Sequence, residues 1–113
     1  MNVSLRLQLN ERCALGPGKI KLLETIATEG SISAAGRAMG MSYRRAWILV
    51  DDLNHSFREP LVATQLGGTR GGGATLTPVG LDVVRRYRAI ERRLLSSSRA
   101  DLIKLERAAA DGA

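Results

Sequence analysis

The sequence predicts a mainly α-helical fold with one small β-hairpin, and three observations lead to it. Apolar residues recur every three or four positions over 19–29, 43–57 and 78–105, which is helix spacing. Two short apolar runs flank a stretch with five glycines in seven residues, 67–73, which is typical of a hairpin with a flexible tip. Aromatic residues are only 4% of the 113 residues, so aliphatic side chains must form the core, as suits helices packed on helices.

A strand is predicted over residues 3–9, where apolar and polar residues alternate with a period of two. Its apolar face comprises Val3, Leu5, Leu7 and Leu9. After the Gly-Pro-Gly run at 16–18, a helix is predicted from Lys19 to Glu29, with Gly30 as its C-terminal stop.

A short helix, a turn and a longer helix are predicted next. Serines at 31–33 offer a capping hydroxyl for a short helix over 34–39. Gly40 permits a sharp turn, and Ser42 is the predicted N-cap of a helix over about 43–57. At 100° per residue, four apolar residues of this helix fall within about 60° of one another and form its predicted buried stripe. They are Ala46, Val50, Leu53 and Phe57.

A hairpin and a last long helix complete the chain. Pro60 ends the preceding helix, and short strands over 61–64 and 74–76 are predicted to pair around the glycine-rich tip. A phosphate-binding P-loop is excluded, because no Gly-Lys-Ser/Thr follows the glycines and no helix opens at the tip. Thr77 as N-cap and Pro78 at the first helical position then begin a helix predicted over about 78–107.

This order of elements is that of one winged helix-turn-helix domain spanning 1–113, with a strand over 3–9, the helix-turn-helix over about 19–57, the wing over about 61–76 and a long helix over about 78–107. The second helix of such a motif lays its first residues in the major groove of DNA. We predict base-edge contacts by Tyr43, Arg44, Arg45 and Ile48. An isoleucine that faces away from the core beside two arginines is better explained by a thymine methyl than by water.

Other DNA contacts are predicted at the helix starts and in the wing. The residues concerned are Ser33, Ser42, Trp47, Thr69, Arg70, Gly71 and Gly72. Ser42 either bonds a phosphate or caps its own helix, and Trp47 either packs at the edge of the core or touches the DNA backbone. The wing residues are expected to contact phosphate or the minor groove, with a mobile hairpin tip as the alternative.

The charge of the chain favours a polyanionic partner. Lysine and arginine number 17 against 11 acidic residues, for a net charge of +6. Each phosphate that a basic protein neutralises releases counterions from DNA, which drives binding. Fourteen of the seventeen basic residues are arginine, whose planar fork suits phosphates and guanine edges.

The same composition argues against catalysis, metal binding and membrane insertion. Cys13 is the only cysteine and His55 the only histidine, so neither a thiolate zinc cluster nor a histidine-based metal site is expected. No carboxylate pair or nucleophile–base arrangement stands out, and we expect neither an enzyme nor a cofactor. No apolar run reaches the roughly 18 residues of a membrane span, and we expect a cytoplasmic protein.

Two runs of the sequence carry a resemblance to a known family. The first is Gly-Ser-Ile-Ser-Ala-Ala at 30–35 with Gly-Met-Ser-Tyr-Arg-Arg-Ala-Trp at 40–47, and the second runs from Gly67 to Gly80 through the glycine-rich tip. Over roughly 3–95 the chain resembles the N-terminal domain of ModE-type molybdate-dependent regulators, which are related here to the LysR-type helix-turn-helix.

The resemblance implies a homodimer that binds a palindromic operator, often at genes of molybdate uptake or molybdenum enzymes. It places the dimer contacts in the N-terminal strand and the long C-terminal helix. The residues we assign to them are Leu5, Leu7, Val84, Tyr87, Ile90 and Leu94. The alternative is that the apolar residues of the long helix are buried in the chain's own core. The arginines of this helix are expected either to face solvent, to contact phosphate or to pair with acidic groups across the dimer.

One departure from the family concerns the effector. Full-length members continue into molbindin-like domains that bind molybdate, whereas this sequence stops at Ala113. We therefore expect no molybdate site in this chain, and either regulation of another kind or a separate sensor protein. The rival function is a winged-helix module that binds proteins and has lost DNA binding, against which the two arginines at 44 and 45 argue.

Overall fold

The structure is a computed structural model that describes residues 1–65 and 72–112. Its strands are β1 (Leu7–Asn10), β2 (Cys13–Leu15), β3 (Val62–Gln65) and β4 (Gly73–Leu76). Its helices are α1 (Pro17–Glu29), α2 (Ile32–Ala38), α3 (Tyr43–Ser56), α4 (Pro78–Ser97) and α5 (Arg99–Ala108). Helices predominate, α2 and α3 form a helix-turn-helix, and β3 and β4 form the wing, so the predicted fold class is confirmed.

The core lies where the first three helices meet the wing and α4. Its fully buried side chains are aliphatic apart from one tyrosine, as the scarcity of aromatic residues requires. The largest of them are Tyr87, Ile20, Leu22, Leu23, Ile26, Leu53, Leu61 and Val50. Ala46, Val50 and Leu53 of the predicted stripe on α3 are at most 2% exposed, whereas Phe57 is half-buried just after the helix ends.

The wing is fixed to the helices by hydrogen bonds at its base. The Ala74 amide of β4 donates to the carbonyl of Gly30 at 2.8 Å, which attaches the hairpin to the end of α1. The Asn54 side chain of α3 accepts from the amides of Leu61 and Val62 at 2.9 and 3.0 Å and donates to the Val62 carbonyl at 3.1 Å. The strands therefore keep a set position beside α3.

The predicted strand over 3–9 is wrong in its extent. Strand β1 begins only at Leu7, and it pairs with β2, which the sequence did not reveal. The partner strand is three residues long, so the ladder has no room for residues 3–6. A register shift between Gln8 and Asn10 breaks the alternation, and Leu9 is 53% exposed although Leu5 and Leu7 pack against the core.

The single long helix predicted over 78–107 is wrong as well, because it is divided at Ser98. Helix α4 ends at Ser97, and Ser98, with φ −104° and ψ 8°, precedes α5. Three consecutive serines stand at this point, and serine hydroxyls compete with the backbone for hydrogen bonds. The Ser97 hydroxyl donates to the Leu94 carbonyl at 3.5 Å.

No helix within residues 1–65 and 72–112 combines the length and apolar character needed to cross a membrane. The same residues contain no group of three or more His, Cys, Asp or Glu side chains placed to hold a metal ion.

Candidate nucleic-acid interface

Helices α2 and α3 approach each other closely at Gly36. A Cβ atom at this position would lie 3.2 Å from the Cβ of Ala46, closer than most such contacts, so glycine lets the two helices pack this tightly without a shift of their backbones. The amide of Met41 donates to the Gly36 carbonyl at 2.9 Å, and Gly40, with φ 67°, makes the turn. Helix α2 is thus packed closely against α3.

The hydroxyl of Ser42 caps its own helix. Its Oγ accepts a hydrogen bond from the Arg45 amide at 3.1 Å, which is the geometry of a helix N-cap. Of the two uses predicted for this side chain, capping is the one that the structure contains. No acidic residue lies in the first turn of α3, so this helix end carries only the positive charge of its two arginines.

The face of α3 opposite the core is exposed and carries the predicted base-contacting residues. Tyr43 is 59% exposed and Ile48 is 58% exposed. Arg44 and Arg45 are also exposed, and neither forms an ion pair within residues 1–65 and 72–112. The four side chains are therefore available to a partner.

Trp47 lies between the exposed face and the wing. Its indole is 39% exposed and meets the Tyr43 ring edge to face, with ring centroids 6.1 Å apart and an angle of 73° between the planes. The two rings line a cleft of about 150 Å³ between the start of α2, the start of α3 and the wing strands. The polar side of this cleft comprises Ser31, Ser33, Thr64 and Gln65.

Ser33 and Gly72 both line this cleft beside Trp47. The Ser33 hydroxyl accepts a hydrogen bond from the Arg37 guanidinium at 2.9 Å, one turn further along α2. Three predicted contacts of the wing, Thr69, Arg70 and Gly71, lie outside the described residues.

Charge changes sign along α3. The arginines stand in its first turn, whereas Asp51 and Asp52 stand in its second half. Asp52 pairs with Lys19 of α1 at 2.7 Å, and Asp51 lies 3.3 Å from the His55 ring. The unpaired positive charge of this helix therefore lies in its first turn, and its acidic residues lie beside a lysine or a histidine. The pairing across α1 and α3 was not evident from the sequence, since Lys19 and Asp52 are 33 residues apart.

Tyr87 corrects the predicted dimer contacts, because its side chain is only 1% exposed and belongs to the chain's own core. Its hydroxyl donates to the carbonyl of Leu5, which ties the N-terminal segment to α4. Burial raises the pKa of the Tyr87 phenol, and the Glu91 carboxylate adds to this shift. Among the other predicted dimer residues, Leu5, Leu7 and Val84 also pack against the core, whereas Ile90 is half-buried and Leu94 is 39% exposed.

Of the five arginines of α4, three form ion pairs, whereas Arg92 and Arg93 are exposed and have none within residues 1–65 and 72–112. Arg88 bridges Glu24 of α1 at 2.6 Å and Glu91 at 2.7 Å, and these carboxylates raise the pKa of its guanidinium. Arg85 and Arg86 both pair with Asp82. Their hydrogen bonds lower the pKa of the Asp82 carboxyl, and the one from Arg86 has the larger effect. These charges hold helices together or pair on the surface of a single chain.

The packing of α2 against α3, the exposed first turn of α3 and the adjoining hairpin define a winged helix-turn-helix domain. The chain belongs to the family described as bacterial regulatory helix-turn-helix protein, lysR family, which matches residues 18–81. This is a family of regulators and not a class of enzymes.

Among curated proteins, the chain is 45% identical over 78 residues to the molybdenum transport protein ModE of Azotobacter vinelandii, covering 69% of this chain and 29% of the relative. It is 36% identical over 85 residues to the DNA-binding transcriptional dual regulator ModE of Escherichia coli K12, covering 75% of this chain and 32% of the relative. The chain thus spans about a third of the length of these relatives, and the ModE resemblance inferred from the sequence is confirmed.

A solved structure has the same fold at low sequence identity. The MepR–DNA complex of S. aureus superposes with a TM-score of 0.53 at 18% identity, covering 80% of this chain and 75% of that protein. The similarity supports the winged-helix architecture.

Proposed function

We propose that this protein is a sequence-specific DNA-binding transcription regulator of the ModE type that acts as a homodimer on an inverted-repeat operator. The observation that carries the proposal is the exposure of Arg44 and Arg45, without ion pairs in the described part of the chain, at the first turn of the second helix of a helix-turn-helix. That helix end is the one that such motifs insert into the major groove.

The comparisons support the same function. The Escherichia coli relative is described as a DNA-binding dual regulator, and the Azotobacter vinelandii relative as a molybdenum transport protein. By this similarity we propose that the regulated genes belong to molybdenum metabolism. A protein that binds chromosomal operators acts in the cytoplasm, which is the location we propose.

The C-terminal helices support the homodimer. No residue of α5 is buried within the chain, although this helix carries Leu102, Ile103 and Leu105. Leu105 is 68% exposed, and Leu94 and Leu95 at the end of α4 are 39% and 37% exposed. Apolar residues on adjoining helices that one small core leaves uncovered favour a partner helix, and a second copy of the chain supplies it.

Selection of bound duplexes from a random pool tests both parts of the proposal. We expect enrichment of an inverted repeat whose half-sites are about 10 base pairs apart, centre to centre, or a multiple of that. Affinity for the selected duplex is expected to fall steeply with salt, because each phosphate contact releases counterions. If no sequence is enriched, or if affinity is independent of salt, the proposal is wrong and the protein-binding alternative is favoured.

A further inference from the structure

Three large apolar side chains are exposed on the outer face of α3. They are Tyr43, Trp47 and Ile48, which are 59%, 39% and 58% exposed, and we refer to them as the α3 apolar patch. Ala46, Val50 and Leu53 already supply the buried stripe of this helix, so the patch contributes little to the core. A contiguous apolar surface of this kind marks an interaction site.

The patch has a defined shape. Together with Arg44 and Asp51 it lines an open groove of about 560 Å³ along α3. The rings of Tyr43 and Trp47 meet edge to face within the patch, an arrangement that aromatic pairs favour.

We propose that the α3 apolar patch contacts the C5-methyl groups of thymines in the major groove, so that the operator half-site is read partly through its methyl groups. This inference rests on the proposed DNA-binding function and adds the chemistry by which bases are distinguished. The thymine methyl is the apolar feature that a base pair presents in the major groove.

Charge selects DNA as the occupant of the patch. Arg44 and Asp51 both border the groove, and Asp51 lies 3.3 Å from the His55 ring. Arg44 and its neighbour Arg45 have no acidic partner in the described residues, so the charge left free at this end of the helix is positive. An apolar protein surface would have to desolvate both guanidinium groups, and a second copy of this chain would bring another net charge of +6. A duplex offers phosphates and guanine edges to the arginines and methyl groups to the patch at the same time.

Replacing thymine by deoxyuridine tests the proposal, because the change removes only the methyl group. Each thymine of the selected operator half-site is replaced in turn, and affinity is measured by fluorescence anisotropy. At one or more positions we expect about a fourfold loss of affinity, as follows from burial of one methyl group. Replacement of thymines that flank the operator serves as the control and should leave affinity unchanged.

A variant links the methyl effect to the patch. In Ile48→Ala, the loss of affinity caused by deoxyuridine at one sensitive position should be smaller than in the parent protein, since the contacting side chain is already absent. Leu81→Ala is the matched control, because Leu81 is 55% exposed on α4 and lies outside the groove. This variant should keep the full methyl effect.

The outcomes separate this inference from the proposed function. If the protein binds the selected operator and every deoxyuridine duplex binds as tightly as the parent duplex, the methyl-reading inference is wrong while the regulator proposal stands. If the methyl effect persists unchanged in each of Tyr43→Ala, Trp47→Ala and Ile48→Ala, the methyl groups are read elsewhere and the inference is again wrong. If no duplex is selected at all, the proposed function itself fails.

Discussion

Gly80 of α4 lies directly against the backbone of Leu61, so closely that an added Cβ atom would overlap the Leu61 carbonyl oxygen. The same carbonyl accepts a hydrogen bond from the Thr77 amide at 2.9 Å, and the Thr77 hydroxyl donates to the carbonyl of Pro60 at 2.7 Å. This contact fixes the direction in which α4 leaves the wing and therefore where Tyr87 enters the core.

Gly80→Ala is expected to lower the free energy of unfolding by about 3 kcal/mol, because the rigid backbone of Leu61 must shift to accept the methyl group. Urea denaturation followed by circular dichroism measures the change. Gly18→Ala is the matched control, since nothing lies within 4 Å of a Cβ atom there. Equal stability of the two variants would show that the Gly80 contact is not tight.

Arg44→Ala and Arg45→Ala are each expected to weaken operator binding by about 1–3 kcal/mol and to relax base preference at one or more positions. Both side chains are exposed, so the unfolding free energy should stay within about 0.5 kcal/mol of the parent. Gel-shift titrations at fixed salt measure the affinities. Arg107→Ala removes the same charge from α5 and serves as the control. If Arg44→Ala and Arg45→Ala both bind the operator as tightly as the parent protein, the assignment of these arginines to the major groove is wrong.

The proposed dimer predicts that charge in the exposed apolar surface of α4 and α5 disrupts association. The double variant Leu94→Glu/Leu105→Glu should sediment as a monomer at a concentration where the parent is dimeric, because burying two unpaired carboxylates per chain is costly. Leu81→Glu, with a similarly exposed parent side chain on α4, should remain a dimer. A parent protein that is monomeric at micromolar concentration would overturn the prediction, as would a double variant that stays dimeric.

Because the Tyr87 phenol is buried, we expect the free energy of unfolding to fall at alkaline pH. Burial raises the phenol pKa in the folded chain above the ordinary value near 10, so above that pH the unfolded chain binds fewer protons than the folded one. Below pH 10 the neutral Tyr87 phenol thus makes its full contribution to the free energy of unfolding. This contribution is lost as the pH rises toward the pKa of the phenol in the folded chain.

Tyr87→Phe isolates this effect. At pH 7 the free energy of unfolding of the variant should be about 1 kcal/mol lower than that of the parent protein, because the Leu5 carbonyl loses its donor. Between pH 9 and 11, however, it should decline less than that of the parent protein. The buried Cys13 thiol, whose pKa is also raised by burial, contributes equally to both proteins. Urea denaturation across this pH range gives the two slopes, and identical slopes would exclude Tyr87 as the titrating group.

Local sequence signals were sufficient for the helix-turn-helix and the wing. Ser42 and Thr77 cap helices by bonding amides three residues ahead, and such contacts depend only on neighbouring residues. The outward position of Arg44 and Ile48 likewise follows from helix periodicity once the buried stripe is recognised.

The tertiary structure decided what depends on partners in other elements. The sequence alternation over 3–9 indicated a strand, but the short β2 limits pairing to Leu7–Asn10. The apolar periodicity of α4 did not distinguish the core from a subunit interface, and Tyr87 is in the core because Gly80 lets the helix approach Leu61. The sequence by itself therefore determined the helix-turn-helix, the wing strands, the caps at Ser42 and Thr77 and the exposed face of α3, since these follow from residues within a few turns of one another. Strand length, the pairing of Lys19 with Asp52 and the burial of Tyr87 required the fold, because their partners are 33 to 82 residues away or on a different element.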